Sequence, residues 1–552
     1  MTLILLTKFL IILFNGVKNM MDKLKIAEKI KNGETFIGIE FGSTRIKAVL
    51  TDEKCSPLAS GNFTWENELQ DGIWTYSLDS IIKGLQVCFS SLKSNVREEY
   101  NMPLVTTGAI GISAMMHGYM AFDENDELLV PFRTWRNTIT GQASKKLSEA
   151  FSFNIPERWS IAHLYQAILN EEPHVKQIRH INTLAGYIHF ILTGNRVLGI
   201  GDASGMFPVD SENLCYNEGM LDKFDEITHI HFFKWKIRDI LPSILLAGEN
   251  AGALTKQGAL ILDPTGEFLA GVPFCPPEGD AGTGMTATNS VRPLTGNVSA
   301  GTSVFAMAVL DKSMKNWYPE IDVVTTPTGK DVAMVHCNNC CSDIDAWAYI
   351  FSEFSSASGN KLPMSKVYDI LYDEAAKGNK NCGGVTSFNY ISGESITKLS
   401  NGAPMVLRRN DSDFTLADFF RSNLYSALAT LRIGMNILYK NEALTLSKLA
   451  VHGGFVKSDV GQSVMADAMN TPVTVYSTAG EGGPWGMAIL ASYTLYKNEM
   501  SLEDYLDNCI FSSASGKVTN PDSDGVKGFD EYLETYEKLL EAQKKVSEIL
   551  YK

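Results

Sequence analysis

The sequence lacks a positive charge balance. Its 552 residues include 48 lysines and arginines against 63 aspartates and glutamates, so the formal net charge is −15 at pH 7. A surface of this sign repels nucleic acids and anionic membranes, which excludes binding that depends on a general basic field. An anionic ligand must therefore be held by a local arrangement, such as a row of backbone amides.

Paired cysteine spacings are also missing. The nine cysteines are scattered and odd in number, which favours reduced thiols in the cytosol over a disulfide framework. Cys337, Cys340 and Cys341 cluster beside His336. No second pair follows at the spacing of a zinc finger, so we interpret the cluster as buried free thiols rather than a structural zinc site.

No apolar run is long enough to span a bilayer. Residues 3–14 (LILLTKFLIILF) resemble the hydrophobic region of a signal peptide, but a transmembrane helix needs about 20 residues. No basic region precedes them, and no cleavage-site pattern follows them. We interpret the first twenty residues as a gene-model extension ahead of a start at Met20 or Met21. We expect a cytoplasmic protein with no membrane partner.

The chain does contain two similar glycine turns, each between two apolar strands. Residues 36–50 (FIGIEFGSTRIKAVL) predict a strand, a Gly42-Ser43-Thr44 turn and a second strand. Residues 297–310 (NVSAGTSVFAMAVL) repeat this pattern around Gly301, about half the chain further on. Each turn can present amides and hydroxyls to a phosphate, although a plain hairpin fits either segment alone. The repetition indicates duplicated domains whose hairpins face each other across a cleft.

A third glycine-rich segment lies near the C-terminus. Residues 449–451 predict a short strand, His452-Gly453-Gly454 a tight loop, residues 460–469 a helix and residues 472–476 another strand. Such a βαβ-like unit places its glycine turn at the carboxyl end of a strand, where open α/β sheets bind ligands. By themselves these glycines could equally serve close packing.

Five ordered segments together resemble the FGGY family of carbohydrate kinases, within the actin-like ATPase superfamily. They are IEFGSTRIKAVL, GISAMMHGYMAFDENDELLVPFRTWRN, PPEGDAGTGM, VSAGTSVF and LAVHGGFVKSDVGQSVMADAMNTPV. Within that family the chain looks most like xylulokinases and other pentulose kinases. The resemblance implies an α/β fold of two actin-like (ribonuclease-H-like) domains. Each would have a mixed central sheet flanked by helices, with an active-site cleft between the domains.

The resemblance also implies a function and a division of the chain. We expect ATP-dependent phosphorylation of a small sugar, first of all a ketopentose, with ATP and Mg²⁺ as cofactors. Residues 1–34 would be an extension, residues 35–290 the sugar-binding and catalytic-base domain, and residues 291–552 the nucleotide-binding domain. A kinase for a hexulose or glycerol-like polyol and a non-catalytic nucleotide- or sugar-binding relative stay open as alternatives. The oligomeric state stays open too, with a homodimer as one arrangement.

The family's functional residues can be placed on this sequence. Asp280 matches the catalytic aspartate, which would accept the proton of a sugar hydroxyl as that oxygen attacks the γ-phosphate. Glu40 stands where the family usually has aspartate, and with Asp280 it would lie close to Mg²⁺. The implied sugar-binding residues are Met116, His117, Gly118, Trp135, Asn137 and Asp280. The implied nucleotide-binding residues are Gly42, Ser43, Thr44, Arg45, Gly301, Thr302, Ser303, Gly453, Gly454 and Phe455.

Three segments depart from the pattern or have no assigned role. In residues 134–140 (TWRNTIT), Asn137 and Ile139 stand where xylulokinases have an aspartate and an arginine. The loss of this charge pair argues against D-xylulose as the specific substrate. Asp202 matches a recurrent turn of the family, which we interpret as structural. Residues 336–349 have no counterpart, and we expect a structural loop that leads into a helix.

Overall fold

The structure is a computed structural model that describes residues 20–476, 482–512 and 516–551. The apolar segment 3–14 lies outside the described residues. The described chain forms two compact units. Unit 1 takes its residues from Met1–Asn289, Val324–Gly329 and Gly480–Ser513, and unit 2 from Ser290–Val323, Lys330–Ala479 and Ala514–Lys552. Within the described ranges, no helix combines the length and the apolar character needed to cross a membrane.

The strands follow the chain in order. Those before residue 290 are β1 (Phe36–Phe41), β2 (Arg45–Thr51), β3 (Pro57–Thr64), β4 (Glu68–Gln70), β5 (Ile73–Thr75), β6 (Ala109–Ala114), β7 (Met120–Phe122), β8 (His180–Asn182), β9 (Val197–Gly199), β10 (Val209–Asp210), β11 (Cys215–Tyr216), β12 (Ser243–Leu245) and β13 (Glu278–Gly279). Those after it are β14 (Thr295–Ala300), β15 (Val304–Val309), β16 (Asp322–Thr325), β17 (Asp331–Cys337), β18 (Val385–Phe388), β19 (Met405–Arg408), β20 (Lys448–His452), β21 (Val473–Tyr476) and β22 (Gly516–Thr519).

The α-helices are divided between the two units. The helices of unit 1 are α1 (20–32), α2 (Leu78–Tyr100), α3 (Gly141–Phe151), α4 (Ser160–Leu169), α5 (Leu184–Thr193), α6 (Ile200–Ser204), α7 (Glu218–Thr228), α8 (Ile237–Ile240), α9 (Lys256–Leu262), α10 (Asp280–Ala287), α15 (Gly482–Tyr493) and α16 (Leu502–Tyr505). The helices of unit 2 are α11 (Ser342–Ala357), α12 (Met364–Lys377), α13 (Leu416–Asn441), α14 (Asp459–Met469) and α17 (Ser523–Leu550).

Each unit is built on a mixed sheet. In unit 1 the strand order is β13-β6-β1-β2-β3, and the larger sheet runs β16-β17-β15-β14-β20-β21-β22. β1 is antiparallel to β2 and parallel to β6. β14 is likewise antiparallel to β15 and parallel to β20. Apolar residues of β1 and β2 are buried on both faces of the sheet, because helices cover strands of this kind on either side.

The two sheets share one pairing pattern. In each sheet, five neighbouring strands pair in the order parallel, parallel, antiparallel, antiparallel. In the first sheet these strands are β13, β6, β1, β2 and β3. In the second sheet they are β21, β20, β14, β15 and β17. The expected fold of two α/β domains with mixed sheets is therefore confirmed. The glycine turn lies between β1 and β2 in one series and between β14 and β15 in the other.

Helix α15 packs closely on the sheet of unit 1. A Cβ atom added to Gly38 of β1 would stand 2.0 Å from the carbonyl oxygen of Pro484. A Cβ atom on Gly486 would stand 2.1 Å from the carbonyl oxygen of Thr283 in α10. Glycine is therefore required at both positions, because a side chain would force α15 away from β1 at Gly38 and away from α10 at Gly486.

Candidate active site

Asp280 is the first residue of α10 and directly follows β13. Strands β13 and β6 are parallel, so the turn after β6 lies beside the start of α10. There the backbone N–H of Met116 donates a hydrogen bond of 3.2 Å to Oδ1 of Asp280. A Cβ atom on Gly279 would stand 2.1 Å from Cγ of Met116, so glycine permits this approach. Asp280 itself remains exposed to solvent.

The surroundings of Asp280 make its carboxylate more basic. Although solvent reaches the residue, the protein around it removes enough water to raise the pKa of its carboxyl group. Backbone hydrogen bonds, including the one from Met116, and the nearby positive charge of Arg158 oppose this increase in pKa without cancelling it. A carboxylate with a raised pKa is a stronger proton acceptor while it stays largely ionised above that pKa.

Glu40 lies in β1, close enough to Asp280 for their charges to interact. Burial and the negative charge of Asp280 raise the pKa of Glu40 to about 7, and Lys47, its partner across β1 and β2, acts in the opposite direction. The Glu40 side chain occupies space next to Gly483, where a Cβ atom would stand 1.9 Å from Oε1.

The two carboxylates fit a divalent cation. The described residues contain no group of three or more histidine, cysteine, aspartate or glutamate side chains arranged to hold a metal. Mg²⁺, however, is commonly bound by one or two carboxylates together with substrate phosphates and water. The repulsion that raises the pKa of Glu40 would be relieved by a positive charge beside Asp280, which is the chemical basis of the fit.

His117 and Gly118 form a tight turn after β6. Both have positive φ angles, 68° and 87°. Nδ1 of His117 lies 3.0 Å from the carbonyl oxygen of Gly205, and the ring stacks on Trp159. Because a carbonyl only accepts, Nδ1 carries the proton and Nε2 is an acceptor in the neutral ring. Burial lowers the pKa of His117 to about 3, so the ring is neutral at physiological pH.

The segment after His117 reaches the first glycine turn through Trp135. This side chain is 40% exposed, and its Nε1–H donates a hydrogen bond of 3.2 Å to Oγ of Ser43.

Asn137 was predicted to bind the sugar, but its side chain is bonded to the protein. Its buried amide exchanges hydrogen bonds of 2.8 Å with the backbone N–H and carbonyl of Trp74 and also donates to Thr134. The side chain therefore holds the loop, and its hydrogen-bonding groups are taken up by the protein.

The first glycine turn is held by aromatic side chains. The N–H of Gly42 bonds the carbonyl of Arg45 at 3.0 Å. Trp65 Nε1 donates to the carbonyl of Gly42 at 2.8 Å, and the hydroxyl of Tyr76 donates to the carbonyl of Ser43. Trp65 and Tyr76 also stack, with ring centroids 4.1 Å apart. These contacts fix the carbonyl side of the turn, while the side chains of Thr44 and Arg45 are exposed.

The second glycine turn, in unit 2, is held in a similar way by backbone groups. The N–H of Gly301 bonds the carbonyl of Ser303 at 2.9 Å. The N–H groups of Cys340 and Cys341 donate to the carbonyls of Thr302 and Gly301, each at 3.0 Å. No described atom lies within 4 Å of the place where a Cβ atom on Gly301 would stand. A ligand can therefore approach the backbone of this turn closely.

The third glycine segment follows β20 in unit 2. Gly453 has a φ of 107°, and a Cβ atom there would stand 2.2 Å from the carbonyl oxygen of Ala300, at the end of β14. Gly454 is exposed, and no described atom would contact its Cβ. Phe455 was predicted to contact nucleotide, but its side chain is fully buried and packs edge-on against Tyr372 in the core of unit 2. Only the two glycines of this predicted set are open to a ligand.

Two carboxylates that support Asp280 were not predicted as site residues. Glu278 accepts backbone hydrogen bonds from Gly201 and Asp202 at 3.2 and 3.0 Å and so ties β13 to α6. Asp202 is buried and accepts a hydrogen bond of 2.7 Å from the hydroxyl of Thr183. Burial raises the pKa of Glu278 to about 8 and that of Asp202 to about 7. The burial of Asp202 and its bond to Thr183 are consistent with the structural role that we expected. The position of Glu278 two residues before Asp280 was the signal in the sequence that could have drawn attention to it.

The unassigned segment 336–349 is a loop that enters α11. Oδ1 of Asn339 accepts hydrogen bonds of 2.9 Å from the N–H groups of Ile391 and Ser392. The N–H of Asn338 donates to Glu394 at 2.9 Å. All nine cysteines are free, and the thiols of Cys337 and Cys340 are buried. These contacts agree with a structural loop.

Comparisons with known proteins identify the family of this chain. The chain matches the N-terminal domain of the FGGY family of carbohydrate kinases over residues 35–281 and the C-terminal domain over residues 296–495. A xylulose kinase from Haemophilus influenzae is 24% identical over 525 residues, which cover 91% of this chain and 98% of that protein. A gluconokinase from Bacillus licheniformis is 24% identical over 476 residues, which cover 84% and 88%.

A solved structure gives the same result for the fold. The ligand-bound xylulose kinase from Lactobacillus acidophilus has a TM-score of 0.74 to this chain, at 17% identity, and the match covers 93% of this chain and 99% of that one. The two domain models of one family match in the expected order and together take in most of the sequence. The chain therefore belongs to the FGGY family of carbohydrate kinases and is a sugar-phosphorylating enzyme.

Proposed function

We propose that this kinase transfers the γ-phosphoryl group of ATP to a hydroxyl of a ketopentose, with Asp280 as the general base. The observation that carries the proposal is the position of Asp280 at the start of α10. It is exposed, its carboxylate is oriented by the N–H of Met116, and its pKa is raised. The next residue after Met116 is His117, which is buried and neutral and whose Nε2 carries the lone pair of the ring.

The residues support a direct transfer of the phosphoryl group. As the sugar oxygen attacks the γ-phosphorus, Asp280 takes the hydroxyl proton, and the bond from phosphorus to the bridging oxygen breaks to release ADP. The raised pKa of Asp280 favours this proton transfer. Nε2 of His117 would accept a hydrogen bond from a second sugar hydroxyl, which orients the attacking one. Trp135 offers its exposed ring to the apolar side of the sugar.

The glycine turns would bind the nucleotide. The turns Gly42 to Arg45 and Gly301 to Ser303 would offer the backbone amides that follow each glycine, because the N–H groups of Gly42 and Gly301 and several of the carbonyls are already bonded to the protein. Gly453 and Gly454 would let the adenine ring lie against the backbone. Glu40 and Asp280 would hold Mg²⁺, which when bound neutralises charge on the phosphates. The free thiols fit a reducing compartment, and we propose a cytoplasmic location.

The choice of a ketopentose rests on the relatives. One relative that matches over most of both chains is named xylulose kinase, and another is named gluconokinase. The second name makes an aldonic acid a further candidate. In this chain Ile139 is 43% exposed, and it offers no charge to a sugar carboxylate or hydroxyl at the position where xylulokinases have an arginine. We therefore place ketopentoses first and test sugar acids beside them.

A coupled assay of ADP release tests the proposal. Purified protein would be assayed with MgATP and a panel of ketopentoses, ketohexoses, glycerol and aldonic acids, and we expect stimulation by a ketopentose above the other classes. Asp280→Asn keeps the shape of the side chain and should abolish this stimulation. Asp79→Asn, on an exposed residue in the first turn of α2, is the matched control and should retain the wild-type rate.

Two results would contradict the proposal. If no sugar stimulates ADP release, or if Asp280→Asn turns over at the wild-type rate, the assignment of a general base fails. If an aldonic acid or a polyol is preferred to every ketopentose by kcat/KM, the substrate class is wrong and the base assignment stands.

A further inference from the structure

Two neighbouring thiols lie directly behind the second glycine turn. Cys340 and Cys341 join β17 to α11, and their sulfur atoms are 3.7 Å apart. Cys341 is partly exposed, whereas Cys340 is 1% exposed. The hydrogen bond to Cys341 and burial raise the pKa of the Cys340 thiol well above its ordinary value. A reagent from solvent therefore reaches Cys341 first and finds Cys340 protonated beside it.

The backbone of the same two residues supports the turn. The N–H of Cys340 donates to the carbonyl of Thr302 and the N–H of Cys341 to that of Gly301, each at 3.0 Å. Cys341 is also the residue before the first turn of α11, and its carbonyl accepts the N–H of Asp345 at 2.9 Å. A change in the backbone at Cys340 and Cys341 must therefore change the support of Gly301 and Thr302.

We propose that Cys340 and Cys341 are an oxidation site at which a peroxide forms a reversible disulfide that displaces the second glycine turn and weakens nucleotide binding. The loss of nucleotide affinity rests on the proposed role of Gly301, Thr302 and Ser303; the formation of the disulfide does not. Nothing in the family resemblance or in the other motifs assigns a role to this pair.

The chemistry balances with one peroxide for each disulfide. The Cys341 thiolate attacks one oxygen of the peroxide, the O–O bond breaks, and an alcohol or water leaves, so that Cys341 becomes a sulfenic acid. The sulfur of Cys340 then attacks the sulfur of Cys341, and the departing hydroxide takes the Cys340 proton as water. Two thiols are oxidised to a disulfide, and the peroxide is reduced by the same two electrons.

Geometry explains why the disulfide would move the turn. Adjacent Cα atoms are about 3.8 Å apart across a trans peptide, whereas disulfides usually join Cα atoms about 4.4–6.8 Å apart. The two sulfur atoms must also approach from 3.7 Å to about 2 Å. The peptide between the residues has to rotate, and the two N–H groups cannot both keep their bonds to Thr302 and Gly301. A strained disulfide is also easily reduced, which makes the change reversible.

Peptide mapping and nucleotide binding test this inference on the full chain. The reduced protein would be treated with hydrogen peroxide, its remaining thiols alkylated, and its peptides analysed by mass spectrometry. We expect the peptide that contains Cys340 and Cys341 to lose two hydrogens and to regain them with dithiothreitol. Calorimetric titration with MgADP should show an affinity about tenfold lower for the oxidised protein, the size expected from the loss of one to two hydrogen bonds.

Two variants identify the responsible thiols. Cys341→Ser keeps the backbone N–H and cannot form the disulfide, so peroxide should leave its MgADP affinity at the value of the untreated variant. Cys509→Ser removes an exposed thiol elsewhere and should respond to peroxide as the wild type does. The proposal is overturned if Cys340 and Cys341 stay reduced, if Cys340 pairs with Cys337 instead, or if the disulfide forms without a change in affinity. Neither measurement needs a sugar, so a failed substrate assignment would appear only in the turnover assay.

Discussion

At the scale of single residues, the protein around the candidate site raises the pKa values of four carboxyl groups. Asp280, Glu40, Asp202 and Glu278 all have raised pKa values, and the loss of surrounding water is the largest cause for each. Only Asp280 is exposed among them, so it is the carboxylate that can meet a substrate. Glu278 accepts hydrogen bonds from the backbone. The negative charge of Asp280 contributes to the raised pKa values of Glu40 and Asp202.

Replacement of Asp280 separates catalysis from binding. We expect Asp280→Asn to lower kcat about 10²- to 10⁴-fold, the usual contribution of a general base. The asparagine oxygen can still accept the Met116 N–H, so the affinity for ADP without Mg²⁺ and the thermal midpoint should stay close to wild type. Steady-state kinetics and calorimetry measure the two effects. Equal losses in kcat and in folding would show that Asp280 is structural.

The pH dependence of stability reports on Glu40. Its pKa rises from 4.5 to about 7 on folding, so between these pH values the folded chain binds more protons than the unfolded one. The contribution of Glu40 to stability is therefore fully present below about pH 4.5 and is lost as the pH rises through about 7. In Glu40→Gln without nucleotide, the fall in thermal midpoint from about pH 5 to about pH 8 should be roughly 2–4 °C smaller than in wild type.

Glu98 provides the control for this measurement. It is exposed on α2, and Glu98→Gln should follow the wild-type pH dependence. If Glu40→Gln and wild type lose the same number of degrees over this range, Glu40 does not titrate as the structure indicates.

At the scale of elements, the three glycine segments are each held on one side by the rest of the protein. They are the turns at Gly42 and Gly301 and the loop at Gly453. Aromatic side chains hold the turn between β1 and β2, and the backbone of residues 340 and 341 holds the turn between β14 and β15. In the third segment, the backbone of Gly453 lies directly against the backbone of Ala300. A turn fixed in this way loses little conformational entropy when a ligand binds.

Alanine substitutions in unit 2 should distinguish an open glycine from a packed one. A Cβ atom on Gly301 would meet no described atom, so Gly301→Ala should keep its thermal midpoint and lower MgADP affinity by blocking approach to the backbone. Gly453→Ala should lose stability as well, by about 1–3 kcal/mol, because of its positive φ and its clash with Ala300. Thermal unfolding and calorimetry measure both. Equal destabilisation by the two substitutions would contradict the described geometry.

At the scale of the whole molecule, the two units share one strand-pairing pattern, but each is built from several separate segments of the chain. The described residues 482–512 cluster with unit 1, and there α15 packs on β1 through Gly38. The described α17 returns to unit 2. Unit 1 therefore depends on a segment that follows most of unit 2 in sequence.

Hydrogen exchange on a Gly38 variant tests this dependence. Gly38→Ala places a Cβ atom within 2.0 Å of the carbonyl of Pro484 and should destabilise unit 1 by about 1–3 kcal/mol. Exchange should rise in β1, β6 and α15, while the strands β14, β15 and β20 of unit 2 keep their protection. Gly219→Ala, on an exposed glycine in the first turn of α7 where a Cβ atom would make an ordinary contact of 3.5 Å with Oδ1 of Asn217, controls for the loss of a glycine. A uniform rise in both units would contradict the division into units.

The sequence by itself determined the elements and the chemistry of this protein. Alternating and buried apolar runs predict β1, β2, β14, β15, β20 and α14, and the repeated glycine turn predicts two related sheets, because these signals are local in the chain. The resemblance to the FGGY family assigns the role of general base to Asp280, and this assignment stays a prediction.

Only the tertiary structure decided which groups are open to a ligand. In the folded chain, the amide of Asn137 is hydrogen-bonded to Trp74, and Phe455 is buried in a core. The N–H of Met116 is hydrogen-bonded to Asp280. The tertiary structure also sets Cys340 and Cys341 behind Gly301 and α15 on β1. These contacts join residues far apart in the chain, and they are selected by close packing and by the need of buried polar groups for partners, neither of which a local pattern records.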